Sequence, residues 1–155
     1  MRAAHTAGIV AALIEHEVWF PYVCGLSAGS SNAVNYIARD PERTRMCFVD
    51  IAEDPRFGGI GSLMHHDGFF NSRWLYDEAI RDGSLPMDWE TFSAIPTKLR
   101  IQSFERDTGR TVTWTREDMT SPVTMARLVR ASSTMPFVMN PIEVGGQVML
   151  DGGLG

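Results

Sequence analysis

The sequence of 155 residues predicts an α/β protein, because segments with helical spacing alternate with strand-like segments along it. A short apolar strand runs into a helix through the turn Gly25-Leu26-Ser27-Ala28-Gly29. Two later pairs of strand-like segments are separated by Asp107-Thr108-Gly109 and by Gly145-Gly146, which are typical hairpin turns. These three features together indicate an α/β fold.

The first half of the chain begins with an amphipathic helix over residues 3–16, which places Ala7, Val10, Leu13 and Ile14 on one face. A strand around Val23 follows, and a second helix is predicted from residue 28 to residue 38. Pro41 ends that helix, since the residue before a proline is pushed out of the α region. We expect residues 41–67 to form an irregular, partly apolar loop, because glycines are scattered through it.

The second half alternates helices and strands. The predicted helices are 69–80, 89–94 and 122–132, and the predicted strands are 98–105, 110–115, 142–144 and 147–150. Asp88 and the Ser121-Pro122 pair are typical helix starts, since a capping side chain and an early proline suit the first turn. The last strand leads directly into Asp151-Gly152-Gly153.

Composition excludes several classes of function. Lys and Arg total 14 against 19 Asp and Glu, which gives a net charge of −5, so nucleic acid is a poor partner. The two cysteines, Cys24 and Cys47, are expected to be buried thiols, with no disulfide framework, metal site or cofactor. No run of eighteen apolar residues is present. We expect a cytoplasmic protein with at most transient contact to a membrane surface.

Ser27 is the candidate nucleophile. A serine hydroxyl attacks an ester only when it is exposed, held beside a base and aimed at a site that stabilises an oxyanion. In a tight strand-to-helix turn the residues two positions before and after the serine must be small, and Gly25 and Gly29 occupy those positions. A chance match arises in roughly a few per cent of chains this long, but the flanking strand and helix favour the functional interpretation.

The base that would activate Ser27 is either a histidine or a carboxylate. Asp151 has suitable surroundings, because it ends a strand and is followed by Gly152 and Gly153, which let other backbone approach closely. By itself an Asp-Gly-Gly sequence is most often a turn. The histidines have less favourable positions, on the first helix or in the irregular loop, and are His5, His16, His65 and His66.

Three motifs in order carry a family resemblance: Gly-Leu-Ser-Ala-Gly around Ser27 with Asn32 and Ala33 following, the run Arg130-Ala131-Ser132-Ser133-Thr134-Met135-Pro136-Phe137, and Leu150-Asp151-Gly152-Gly153. In this order they resemble the patatin-like phospholipases, in particular the bacterial members. The resemblance implies an α/β/α sandwich with a mostly parallel central sheet, as a single catalytic domain over residues 1–155. It also implies a Ser-Asp dyad without histidine, in which Ser27 is the nucleophile and Asp151 the general base for hydrolysis of lipid or lysophospholipid esters.

The same family forms its oxyanion hole with a Gly-Gly-Gly-x-Arg-Gly loop before the first helix. Arg2 matches the basic residue of that loop, and Ala3 stands where glycine is usual. We therefore expect the segment to begin inside the loop and to end soon after Asp151, with both the first strand and the C-terminal part of the domain outside it. Loss of an oxyanion donor typically costs a factor of about 10² to 10³ in turnover.

Two alternatives stay open. An α/β-hydrolase with a Ser-Asp-His triad requires several strands before its serine and a histidine after its acid, and neither is present. A catalytically silent lipid-binding or interaction module is the other alternative, since Ala3 alters the expected oxyanion loop. Headgroup, acyl length and oligomeric state are not determined by these patterns.

Overall fold

The computed structural model describes residues 2–59, 62 and 68–155. The helices of this part are α1 (Arg2–Glu15), α2 (Ala28–Ile37), α3 (Pro41–Phe48), α4 (Ala79–Arg81), α5 (Trp89–Ala94) and α6 (Pro122–Ser133). Its strands are β1 (Tyr22–Leu26), β2 (Lys98–Glu105), β3 (Thr111–Thr115), β4 (Ile142–Val144) and β5 (Gln147–Asp151). A π-helical turn, Trp74–Glu78, leads directly into α4.

β2 lies at the centre of the sheet. β1 pairs with it in parallel along residues 98–102, and β3 pairs antiparallel along residues 100–104 on the other side. β5 pairs antiparallel with residues 103–105. Since β3 already occupies the far side of β2 at residues 103 and 104, β5 must lie on the same side as β1. The sheet is completed by β4, which pairs with β5.

β1 and β5 therefore occupy the same edge of β2 and run toward each other. β1 ends at Leu26, which is opposite Gln102, and β5 ends at Asp151, which is opposite Ser103. Neighbouring positions on one strand are about 3.3 Å apart. The ends of the two strands thus meet, and the residue that follows Leu26 comes beside Asp151.

The described helices cover one face of this sheet. Leu99 and Ile101 of β2 point to that face and form the main core with Val34 of α2 and with Met125 and Val129 of α6. The alternate positions point to the other face, where Tyr22 and Leu26 are 47% and 45% exposed. The period of two in β1 and β2 therefore separates a covered face from an open one.

The α/β class is confirmed, and two details of the sheet differ from the expectation. Only β1 and β2 pair in parallel among the described strands. The Asp107–Gly109 and Gly145-Gly146 hairpins make two of the pairs antiparallel, and β5 also pairs antiparallel with β2. The described helices also leave one face of the sheet open. For the same reason Cys24 is exposed rather than buried, since its position in β1 is on the open face.

Most predicted elements are confirmed within about two residues. The predicted loop over residues 41–67 is wrong at its start, where α3 forms. Asp40 caps α3 by accepting a hydrogen bond from the backbone N–H of Arg43 at 2.8 Å, and Pro41 occupies the first turn. That pair of signals could have been recognised in the sequence. Residues 60, 61 and 63–67 of the predicted loop, including His65 and His66, lie outside the described residues.

None of the helices in the described ranges has both the length and the apolar character needed to cross a bilayer.

The side chain of Arg116 links α5 to the edge of the sheet through hydrogen bonds. Its guanidinium donates to the carbonyls of Ile95 and Thr97, which connect α5 to β2. It also donates to the carbonyl oxygens of Phe92 at 2.6 Å and Ser93 at 3.1 Å, near the end of α5. The last carbonyls of a helix lack partners within the helix, so this one side chain satisfies several of them.

We expect Arg116→Met to lower the free energy of unfolding by about 2 kcal/mol, because the carbonyl groups lose a charged donor. Denaturation in guanidinium chloride measures the change. Arg110→Met is the matched control, since Arg110 is an exposed arginine of the same hairpin, and it should change the free energy by less than about 0.5 kcal/mol. Equal effects of the two substitutions would contradict the bridging role of Arg116.

Candidate active site

Ser27 lies in the tight turn that joins β1 to α2. Its backbone angles, φ of 52° and ψ of −132°, lie in a region that residues other than glycine rarely adopt. Such a backbone costs on the order of 1–3 kcal/mol and persists only where the surroundings fix it. α2 begins at the next residue, Ala28, so the side chain of Ser27 projects at the N-terminus of a helix.

Three hydrogen bonds fix the turn. The backbone N–H of Ser27 donates to Oγ of Ser132 at 3.1 Å. The carbonyl of Ser27 accepts from the backbone N–H of Ser30 at 2.9 Å and from Oγ of Ser30 at 2.5 Å. Both backbone polar groups of the strained residue are therefore satisfied, and one of the bonds comes from an element 105 positions away in sequence.

The two glycines of the turn differ in their roles. A Cβ added to Gly25 would overlap the carbonyl of Gly29 and the backbone N of Ser30, so this position requires glycine. A Cβ added to Gly29 would meet no atom within 4 Å. The expectation that both positions must be small is therefore wrong for Gly29, because the crowding runs from β1 onto the first turn of α2 and not in the reverse direction.

Asp151 lies beside Ser27, as the meeting of β1 and β5 requires. Oγ of Ser27 donates to Oδ2 of Asp151 at 2.6 Å. The other carboxylate oxygen, Oδ1, accepts from the backbone N–H of Gly153 at 2.8 Å. Asp151 is 7% exposed, and a Cβ on the following Gly152 would overlap the carbonyl of Gln102. The glycine after Asp151 therefore lets the chain pass close to β2.

Residues at the C-terminal end of α6 accept hydrogen bonds from the backbone of both Ser27 and Asp151. Ser132 accepts the backbone N–H of Ser27, and the carbonyl of Thr134 accepts the backbone N–H of Asp151 at 2.8 Å. Thr134 in turn donates from Oγ1 to the carbonyl of Arg130 at 2.8 Å. In the sequence, the run that begins at Arg130 stood out only through the family resemblance. No role could be predicted for its residues, because the backbone groups that Ser132 and Thr134 contact are remote along the chain.

A cavity of about 140 Å³ opens beside Ser27, with a lining that is mainly apolar. α2, α3 and α6 contribute to it, together with residues near Phe57 and Phe70. Tyr76 also lines it, and burial raises the pKa of this phenol. Tyr76 is therefore a neutral phenol at pH 7, which the sequence did not single out.

The remaining predicted site residues do not all lie at the cavity. Ala3, in the first turn of α1, lines the same cavity as Ser27, whereas the side chain of Arg2 lies outside the described part of the structure. His5 and His16 are exposed on α1 and just after it. Within the described residues, the side-chain hydroxyl of Ser27 donates to a carboxylate and not to an imidazole.

The fold and the site together define a class: an α/β protein that presents a serine on a strained strand-to-helix turn, with a buried carboxylate as its partner. The family model described as Patatin-like phospholipase matches residues 1–155. The chain belongs to this family, which implies lipid acyl hydrolase activity in general. A comparison with curated proteins found no match.

The unequal crowding at the turn gives a paired prediction. Gly25→Ala should destabilise the fold by more than about 2 kcal/mol, because the new methyl group must displace the backbone of α2. Gly29→Ala should leave stability unchanged or raise it by about 0.5–1 kcal/mol, since alanine is favoured over glycine within a helix. Thermal unfolding of both variants measures this; equal losses would contradict the geometry.

Proposed function

We propose that this chain is a serine acyl hydrolase that cleaves acyl esters of lipids, phospholipids or lysophospholipids, with Ser27 as nucleophile and Asp151 as general base. The observation that carries the proposal is the hydrogen bond of 2.6 Å from Oγ of Ser27 to Oδ2 of Asp151. The membership of the family supports the ester chemistry in general. The residue roles rest on the geometry of the pair.

In the first step the carboxylate of Asp151 takes the hydroxyl proton of Ser27 while Oγ bonds to the carbonyl carbon of the ester. The electron pair of the carbonyl moves onto its oxygen, which becomes an oxyanion. The oxyanion then re-forms the carbonyl as the bond to the alcohol breaks. The leaving alcohol takes the proton from Asp151, and the acyl group remains on Ser27.

The oxyanion requires donors close to Ser27. The N-terminus of α2 supports this role, because the first N–H groups of a helix have no partners within it and carry partial positive charge. The N–H of Ala28, the residue after the nucleophile, is the donor that comparable turns use. Further donors are expected from the segment around Arg2 and Ala3, and Ala3 lines the cavity.

The second step hydrolyses the acyl-enzyme. Asp151, again a carboxylate, takes a proton from a water molecule as the water oxygen attacks the acyl carbonyl. The second oxyanion collapses with loss of Oγ of Ser27, which recovers its proton from Asp151. One carboxylate thus serves both steps, and its contact with the N–H of Gly153 keeps Oδ2 directed at Ser27.

The cavity supports an acyl substrate. Its lining is predominantly apolar and includes Met125 and Val129 from α6 together with Phe57 and Phe70. Apolar walls with a few polar groups are typical of small-molecule sites. We propose that the acyl chain lies in this cavity, while the alcohol portion of the ester stays toward solvent.

An apolar rim around the cavity supports contact with a lipid surface. Met135 and Met139 line the cavity, and Phe137 between them is fully exposed with a φ of 67°. Phe69, which is 46% exposed, lies on the neighbouring segment, where the N–H of Phe70 donates to the carbonyl of Val138 at 3.2 Å. Exposed side chains of this kind at a site mouth are suited to lipid contact.

The dyad is tested by a fluorophosphonate probe and an ester assay on the full chain. Ser27→Ala should abolish both labelling and hydrolysis, because the nucleophile is removed. Asp151→Asn should lower kcat by a factor of about 10² to 10⁴, since general-base catalysis contributes an effect of this size.

His5→Ala and His16→Ala are the matched controls and should retain full activity. Labelling that survives Ser27→Ala would refute the assignment of the nucleophile. A folded wild-type chain that gives no burst of product from an activated ester would instead support the silent lipid-binding alternative. Loss of activity in a histidine variant would favour a triad.

The rim is tested by Phe137→Ser. Hydrolysis of esters in phosphatidylcholine vesicles should fall by about tenfold, because one aromatic side chain contributes roughly 1.5–3 kcal/mol when it leaves water. Hydrolysis of a short water-soluble ester should not change. Ile9→Ser removes an exposed side chain from α1 and is the control. Equal losses on both kinds of substrate would refute lipid contact by Phe137.

A further inference from the structure

Polar groups line part of the same cavity, on α2 and α3. Arg43 and Cys47 lie four residues apart on α3 and therefore face the same side of the helix. Asn35 of α2 also lines the cavity. Asn35 is 1% exposed and Arg43 is 6% exposed, so neither is a solvated surface group. Charged side chains are rarely buried without a partner that compensates them.

Two donors in this cluster have no acceptor. Nη1 of Arg43 donates to the carbonyls of Leu85 at 2.9 Å and Pro86 at 2.7 Å, but Nε of Arg43 is buried and unpaired. Nδ2 of Asn35 is buried and unpaired as well. Such groups are uncommon in folded proteins, since an unsatisfied buried donor costs on the order of 1–3 kcal/mol.

The polar neighbours do not satisfy these donors. Asp40 accepts the backbone N–H of Arg43, and in the described part of the chain no carboxylate forms an ion pair with the guanidinium of Arg43. Burial raises the pKa of Cys47, while the neighbouring Arg43 and the amide of Asn35 beside the thiol lower it. Cys47 is therefore a protonated thiol, and a thiol sulfur is only a weak acceptor.

The position of the cluster relative to Ser27 follows from α2. Ser27, Ser31 and Asn35 are spaced four residues apart, so they lie along one side of the helix, and all three line the cavity. Eight residues of α-helix span about 12 Å. An extended chain of roughly ten bonds covers that distance. An acyl group on Ser27 that follows α2 would therefore extend to the part of the cavity that Asn35 and Arg43 line.

We propose that Asn35 and Arg43 form a binding site for an oxygen acceptor at the far end of the acyl chain, so that the preferred substrates are esters of oxygenated medium-length fatty acids. The inference rests on the proposed hydrolase function and specifies its substrate. A carboxylate can accept hydrogen bonds from both donors, one of which is cationic. An ether or hydroxyl oxygen can accept a single hydrogen bond from either donor. A plain hydrocarbon end leaves both donors unpaired.

The test compares three p-nitrophenyl esters that share an eight-carbon acyl chain, on the full protein chain: octanoate, 8-methoxyoctanoate and the half-ester of suberic acid. We expect kcat/KM to be about tenfold to a hundredfold higher for at least one oxygenated ester than for octanoate, because a hydrogen bond to a charged donor is worth that much. Preference for the half-ester identifies a carboxylate ligand, and preference for the ether identifies a neutral acceptor.

Asn35→Leu should remove most of the preference and raise kcat/KM for octanoate, since the substitution exchanges a donor for an apolar group of similar size. Arg43→Met should do the same, although it also loses the bonds to Leu85 and Pro86, so circular dichroism must accompany it. Arg45→Met is the matched control, because Arg45 lies on the same helix with a side chain that is 57% exposed. It should leave the preference unchanged.

A binding measurement separates this inference from the hydrolase function. Calorimetry on Ser27→Ala compares the binding of monomethyl suberate and of methyl 8-methoxyoctanoate with that of methyl octanoate and requires no catalysis. Tighter binding of either oxygenated ligand that is lost in Ser27→Ala combined with Asn35→Leu supports the site even if no ester is hydrolysed. Equal or weaker binding of both oxygenated ligands, or a preference that survives Asn35→Leu and Arg43→Met, overturns the inference while the dyad can still stand.

Discussion

The site depends on the sharing of one edge of β2 by two strands that run toward each other. β1 occupies that edge as far as Gln102, and β5 occupies it from Ser103 onward. The residue after β1 and the last residue of β5 must therefore lie side by side, and the contact of 2.6 Å between Ser27 and Asp151 follows. Neither strand can shift by one residue, because a shift by one position would also turn each core side chain of the strand toward the open face.

The strained turn at Ser27 is maintained by packing from one side and hydrogen bonds from another. Gly25 lets β1 approach the first turn of α2, and no larger residue fits there. The end of α6 then accepts the N–H of Ser27 through Ser132 and the N–H of Asp151 through Thr134. Because one helix end fixes both backbones, the side chains of Ser27 and Asp151 keep their relative position. The strain, on the order of 1–3 kcal/mol, is offset by these contacts.

The cavity combines two environments. Near Ser27 and along α6 it is apolar, which is suited to a hydrocarbon chain, whereas Asn35 and Arg43 introduce buried donors on α2 and α3. A cavity that served only hydrocarbon would be expected to have apolar walls throughout, since unpaired donors weaken the fold. The family implies lipid acyl hydrolase activity in general. A hydrocarbon chain alone would leave the buried donors of Asn35 and Arg43 unpaired.

Local patterns in the sequence determined the elements with short-range signals. The Gly-x-Ser-x-Gly turn, the two hairpins and the cap at Ser121 depend on contacts within a few residues, so they could be predicted, and the cap at Asp40 could have been. The pairing of β1 and β5 with β2 and the open face were decided by tertiary structure, because pairing order and the covering of a face depend on contacts remote in sequence. The same holds for the site. The sequence proposed Ser27 and Asp151 from their local surroundings and from a family resemblance, but only the fold brought them together across 124 positions and added Ser132, Thr134, Asn35 and Arg43.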